Sequence, residues 1–194
     1  MPPTPVPNLA SLALTAGRQH GVFTVGQARA VGVTKAALDR RIRTGELVAV
    51  DYGVYRSVLT PVTWHQRLVA ACLAGPAVAS HRSGGVLWRY PLTLLTVLEV
   101  TALRHRRRHT GDVIWHESYL LDDDDVTEID GIPVTHAGRT VADLASVLDA
   151  GSLQRVVDDA LRRRLATVAS LEQLLARLGP KRIGTAALRS ALAA

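Results

Sequence analysis

Cysteine, methionine and phenylalanine each occur once in this chain, and lysine only twice against 21 arginines. With Cys72 alone, no intramolecular disulfide can form, and a reducing compartment, the cytoplasm, is the expected location. Its place in an apolar helical stretch predicts a small buried hydrophobe rather than a reactive thiol. Long apolar runs are missing too. The mostly apolar segment from Leu92 to Leu98 is far too short to span a bilayer before Glu99 ends it, and Met1-Pro2-Pro3-Thr4-Pro5 has no basic region of a secretory leader. Neither Lys35 nor Lys181 follows an acidic pair at nuclease spacing, so metal-dependent strand cleavage by these residues is not expected. The arginine bias itself reads as the base composition of a GC-rich genome, and no function is drawn from it.

What the chain has is apolar content and unevenly placed charge. At 194 residues and 47% hydrophobic it can build a genuine core in one or two small domains. Its formal charge of +6 is concentrated at the two ends of the sequence. Residues 1–58 carry seven basic and three acidic groups, residues 59–137 seven and nine, and residues 138–194 nine and five. A basic first third steers toward polyanions such as nucleic acid.

The first third also has the densest local signals. Asn8 predicts an N-cap for a helix with Leu9, Leu12, Ala13 and Ala16 on one face, stopped at His20-Gly21. Thr24-Val25-Gly26-Gln27 is a capping box for a short second helix, which Gly32 ends. Thr34 caps a third, in which Leu38 and Ile42 turn inward while Lys35, Ala36, Asp39, Arg40 and Arg43 lie on the opposite side, before Gly45. Leu47–Val50 and Gly53–Arg56 then flank a Gly-bearing turn, the pattern of a hairpin. Three helices and a hairpin in this order are the layout of a winged helix-turn-helix, and the third helix is the expected recognition helix. A helix fits the major groove, and exposed Arg and Lys reach phosphates or guanine edges. The expected DNA contacts are Thr34, Lys35, Ala36, Asp39, Arg40 and Arg43, with Tyr52 and Arg56 bringing the wing to the backbone. Asp39 tempers a pure phosphate clamp; it can discriminate against wrong bases or order a neighbouring Arg.

Residues 1–58 therefore read as a winged helix-turn-helix domain and residues 59–194 as a second, α/β domain with a C-terminal helical segment. In the second, Thr60-Pro61 predicts a helix start and Gly75-Pro76 its end. Ser80 is expected to cap a short helix from His81 to Trp88. Thr96 to Leu103 reads as a buried strand with Asp112 to Glu117 as its partner, and Ile129-Asp130-Gly131-Ile132 as a hairpin turn. From Ala137 the period becomes helical, giving four short helices. The expected class is α+β, with a mostly antiparallel central sheet.

Three segments carry a resemblance: Gln19-His20-Gly21-Val22-Phe23-Thr24 with the helix-turn-helix after it, Ser80-His81-Arg82-Ser83 with Leu87-Trp88, and Asp130-Gly131-Ile132-Pro133-Val134-Thr135 with Arg139-Thr140-Val141-Ala142-Asp143-Leu144-Ala145. In this order they resemble the AbiEi-type antitoxins of type IV toxin-antitoxin systems, in the actinobacterial branch. The resemblance implies a winged helix binding double-stranded DNA at the operon's own promoter, and a second domain acting as antitoxin against a nucleotidyltransferase-like toxin. Many similar proteins continue into a C-terminal endonuclease-like domain that these 194 residues do not include, so the expectation is either a short member or a fragment.

Other features weigh toward structure. Arg104, Arg106, Arg107 and Arg108 are a second basic contact or a solvated hairpin tip. Asp122 to Asp125 lacks the spaced ligands of a calcium loop and reads as a solvated acidic loop. Ser80-His81-Arg82-Ser83 has no acid placed to orient a nucleophile and reads as a tie between helix and sheet. His105, His109 and His116 are not expected to bind zinc, given one cysteine and the arginines around two of them. Neither metal nor cofactor is therefore expected, nor an enzyme. The alternatives are a DNA-binding regulator without a toxin, the DNA-targeting part of an endonuclease-like protein, and a protein-interaction module.

Overall fold

In a computed structural model the structure describes residues 8–92, 97–102 and 112–194. The class is α+β, with two sheets and helices arranged in two compact units. The first unit comprises residues 1–77 with 130–132, the second 78–129 with 133–194.

In the first unit, helix α1 (Leu9–Arg18) starts where Asn8 accepts from the Ser11 N–H at 3.0 Å. Strand β1 (Val22–Thr24) follows. Helix α2 (Val25–Ala30) opens on the Thr24–Gln27 capping box, with both reciprocal bonds made. A turn through Gly32 leads to α3 (Lys35–Arg43), capped by Thr34 Oγ1 at 3.2 Å from the Ala37 nitrogen. Strands β2 (Leu47–Asp51) and β3 (Val54–Ser57) form the hairpin, and β1 pairs antiparallel with β3 in the order β1-β3-β2. Leu12, Phe23, Ala28, Val33, Leu38 and Leu47 make one core beneath these elements. Leu38, 1% exposed, pins α3 to it; truncation to alanine costs about 2–5 kcal/mol. Helix α4 (Trp64–Ala74) packs on the same three strands. Its cap is Thr63, which accepts from Gln66, and not the expected Thr60-Pro61: Thr63-Trp64-His65-Gln66 puts the hydroxyl three residues before the N–H it satisfies. Cys72 is buried on this helix.

The second unit holds a five-stranded sheet in the order β6-β5-β4-β8-β7. Its strands are β4 (Ala77–Ala79), β5 (Leu98–Ala102), β6 (Val113–Glu117), β7 (Val126–Ile129) and β8 (Ile132–Thr135). The expected pair of β5 with β6 is present, but its ladder is parallel, as is that of β4 with β8. That corrects the expected mostly antiparallel sheet. Strands adjacent in space need not be joined by a hairpin, and strand direction is invisible to the period-2 pattern. The tight turn between β7 and β8 is the expected one, with positive φ at both Asp130 (49°) and Gly131 (75°).

Helices α5 (His81–Leu87) and α6 (Ala137–Leu144) pack together, and α6 in turn meets α7 (Ala150–Arg162) and α8 (Val168–Leu178), with α9 (Thr185–Leu192) against α7. Val141, Leu144, Leu153, Val156, Leu171, Leu175 and Leu188 fill the space between them. Gly184 starts α9 at φ 89°, where a Cβ would lie 2.6 Å from the backbone of Ala145 and Ser146, so only glycine fits.

Candidate nucleic-acid interface and a buried polar cluster

Successive side chains on a helix turn by about 100°, so Lys35, Asp39, Arg43, Ala36 and Arg40 fall in one arc of about 140° on α3. Leu38 lies off this arc and is buried in the core, and Ile42, at the edge of the arc beside Lys35, packs partly buried against that core. Thr34, Lys35, Ala36, Arg40 and Arg43 are exposed and Asp39 half-buried. Arg40 and Arg43 make no side-chain hydrogen bond or ion pair among the described residues, which leaves both guanidiniums available.

Asp39 is engaged. Both its oxygens accept from Lys35 Nζ, at 2.9 and 2.8 Å, and this bond with the carboxylate's charge holds the Lys35 ammonium above its usual value. At the hairpin tip Tyr52 is 68% exposed. Arg56 lies further down the hairpin, and its Nη1 donates to Ser57 O and Thr60 O, both at 3.0 Å. Its guanidinium thus closes the end of β3. One basic residue was missed from the sequence: Arg29, exposed in the last turn of α2 and close enough to act electrostatically on Lys35. Its place in the first helix of the helix-turn-helix was the available signal. Arg104, Arg106, Arg107 and Arg108 lie outside the described residues.

The second unit buries an unusual amount of charge. Ser80 occupies the N-cap position of α5 without capping it. Its hydroxyl instead accepts from Thr101 Oγ1 at 2.7 Å and meets His81 Nδ1 at 2.9 Å, so the expected cap is replaced by a bond across to β5. Arg82 Nη1 donates to Glu99 Oε1 at 2.8 Å, and Ser83 Oγ accepts from the Glu99 N–H at 2.8 Å. The Ser80–Ser83 segment therefore ties α5 to the sheet, as expected. His116, from β6, sits 3.2 Å from Glu99 Oε2 and stacks on His81 with ring centroids 3.4 Å apart. Burial alone would raise the Glu99 carboxyl, but hydrogen bonds from His116 and Arg82 hold it down at about 2. Burial pushes the His81 imidazole down to about 4, so it is neutral near pH 7.

A second network centres on Arg139, whose side chain is 1% exposed. It donates to Asp143 Oδ1 at 3.0 Å, Asp125 Oδ2 at 2.9 Å, Ser118 Oγ at 2.9 Å and the Leu120 carbonyl. Arg177 pairs with Asp122 and Asp125, and Arg182 with Asp143. Asp143 Oδ2, also buried, has no hydrogen-bond partner among the described residues. Asp122–Asp125 is thus not a wholly solvated acidic loop: Asp125 is buried, and its guanidinium partners come from α6 and α8. Burial would raise the Asp125 carboxyl; the bonds from Arg177 and the Asp122 N–H, with the charge of Arg139, bring it below its usual value.

Among the described residues no helix is long and apolar enough to cross a membrane. No curated protein matches the chain. Among solved structures, the RV2827C protein from Mycobacterium tuberculosis is similar with a TM-score of 0.53 and 14% identity, over 88% of this chain and 72% of that one. At that identity the likeness speaks for the fold. Residues 11–58, from α1 to the end of the hairpin, match the family described as transcriptional regulator, AbiEi antitoxin. The segment that carries the helix-turn-helix and its hairpin is thus similar to that of the AbiEi antitoxin transcriptional regulators.

Proposed function

We propose that the chain is a sequence-specific DNA-binding antitoxin that represses its own type IV toxin-antitoxin operon. Residues 1–58 are the DNA-binding domain, and residues 59–194 serve the antitoxin role toward a nucleotidyltransferase-like toxin. The observation that carries the DNA half is the exposed arc of α3, where Arg40 and Arg43 stand clear of any partner among the described residues beside Thr34, Lys35, Ala36 and Asp39. Tyr52 at the exposed hairpin tip supplies a wing contact, and Arg56 supports the wing from its base. The Arg29 charge adds to the phosphate-facing potential. The antitoxin half rests on the family match in residues 11–58. The reaction chemistry belongs to the toxin, and the chain acts by binding in the cytoplasm.

A reporter driven by the chain's own upstream region tests the regulatory half. Expression of the chain lowers the reporter, and Arg40→Ala with Arg43→Ala restores it; repression that survives the double change removes α3 from the interface. Co-purification with the neighbouring toxin in nuclease-treated extract tests the other half, and a toxin that never co-purifies leaves a regulator without one.

A further inference from the structure

We propose that His81, Glu99 and His116 bind one divalent ion of the zinc class in the second unit. One side-chain donor atom from each of the three lies within 4.8 Å of the others. Tetrahedral sites with bonds of about 2.0–2.1 Å separate their donors by about 3.3 Å. Glu99 Oε2 and His116 Nε2 stand 3.2 Å apart, so one edge of such a site is already formed, with a proton where the ion would sit.

The surroundings are those of a ligand set whose outer atoms are held. Arg82 takes Glu99 Oε1 at 2.8 Å, which leaves Oε2 to face the two histidines. Ser83 fixes the Glu99 backbone. Ser80 Oγ, itself bonded from Thr101, lies 2.9 Å from His81 Nδ1, and in the tautomer where Nδ1–H donates to it, Nε2 carries the coordinating lone pair. Partners of this kind set the tautomer and orientation of metal-binding histidines and carboxylates. Two imidazoles and one carboxylate suit Zn²⁺, Co²⁺, Ni²⁺ or Fe²⁺ better than Ca²⁺ or Mg²⁺, which take all-oxygen sets. The His116 side chain is 23% exposed, so an ion can reach the cluster, and water completes the coordination.

Binding requires one movement. The His81 and His116 rings lie 15° from parallel, and stacked rings cannot both aim in-plane lone pairs at one point. His81 is fixed by Ser80 and by its left-handed backbone, φ 48°. His116 is on β6, at the edge of the sheet, and is the ring that turns out of the stack as its Nε2 proton leaves. The site stands apart from the DNA reading and does not depend on it.

The test uses the full chain, stripped of metal with a chelator and titrated with Co²⁺ by visible absorption, with Zn²⁺ as competitor. One Co²⁺ per chain, displaced by Zn²⁺, is expected. His116→Ala and Glu99→Gln should each weaken binding by at least about tenfold. If Glu99→Gln fails to fold by circular dichroism, His116→Ala decides, since His116 lies at the sheet edge. The absence of Co²⁺ absorption in the unmodified chain, or a His116→Ala titration that overlays it, overturns the site.

Discussion

Lys35 Nζ lies 2.8 Å from Asp39 Oδ2, one turn along the exposed arc of α3. The lysine precedes the acid, the weaker order for a helical pair, and a cation in the first helical turn opposes the macrodipole. The pair therefore does more to set charge on the proposed DNA-facing surface than to hold the helix. Asp39→Asn should leave the unfolding midpoint unchanged, raise affinity for any duplex, and steepen the salt dependence by about one released ion. Fluorescence titrations at several salt concentrations check this; an unchanged slope would place Lys35 away from phosphate.

Arg139 is held between Asp125 and Asp143, with all three side chains no more than 4% exposed. Forming such a cluster gains little over an apolar core, but removing one member strands the opposite charge. Arg139→Met should lower stability by about 3–5 kcal/mol, read by urea unfolding. A loss below about 1 kcal/mol would mean that Arg177 and Arg182 suffice to neutralise the two carboxylates.

The same network makes stability depend on acid. The Asp125 carboxyl is more acidic folded than unfolded, so the unfolded chain binds the extra proton. The stabilisation is complete above the ordinary carboxylate value of about 4 and is lost as pH falls through the lower folded value. The urea midpoint should therefore drop steeply below about pH 4, and Asp125→Asn should flatten that drop. An identical pH profile in the variant would assign the acid sensitivity elsewhere.

Gly184 and Gly45 both have positive φ, at 89° and 75°, but differ in what a Cβ would meet. At Gly45 there is open space, so alanine there incurs only the left-handed strain, about 1 kcal/mol. At Gly184 the Cβ would run into the backbone of Ala145 and Ser146 at 2.6 Å, and Gly184→Ala should cost clearly more. Thermal unfolding of the two variants side by side checks the order.

Local signals were legible in the sequence, and long-range ones were not. Asn8, Thr24 and Thr34 cap the helices assigned to them because a cap is settled within three residues. The inward turn of Leu38 and Ile42 followed from helical period alone. Strands β1 and β4 went unread because three residues carry too little alternation to register. The burial of Asp125 was hidden because its partners Arg139 and Arg177 lie 14 and 52 positions away. The approach of His116 to Glu99 was hidden likewise, since it depends on the parallel pairing of β5 and β6.

The most direct measurement is a binding titration of the purified chain on its own upstream duplex and on a scrambled one, at two salt concentrations, with the Arg40→Ala, Arg43→Ala double variant alongside. The account predicts tighter binding to the upstream duplex, and in the variant a loss of that preference or a salt slope lower by about two. Equal weak binding to both duplexes, unchanged by the double substitution, would contradict it.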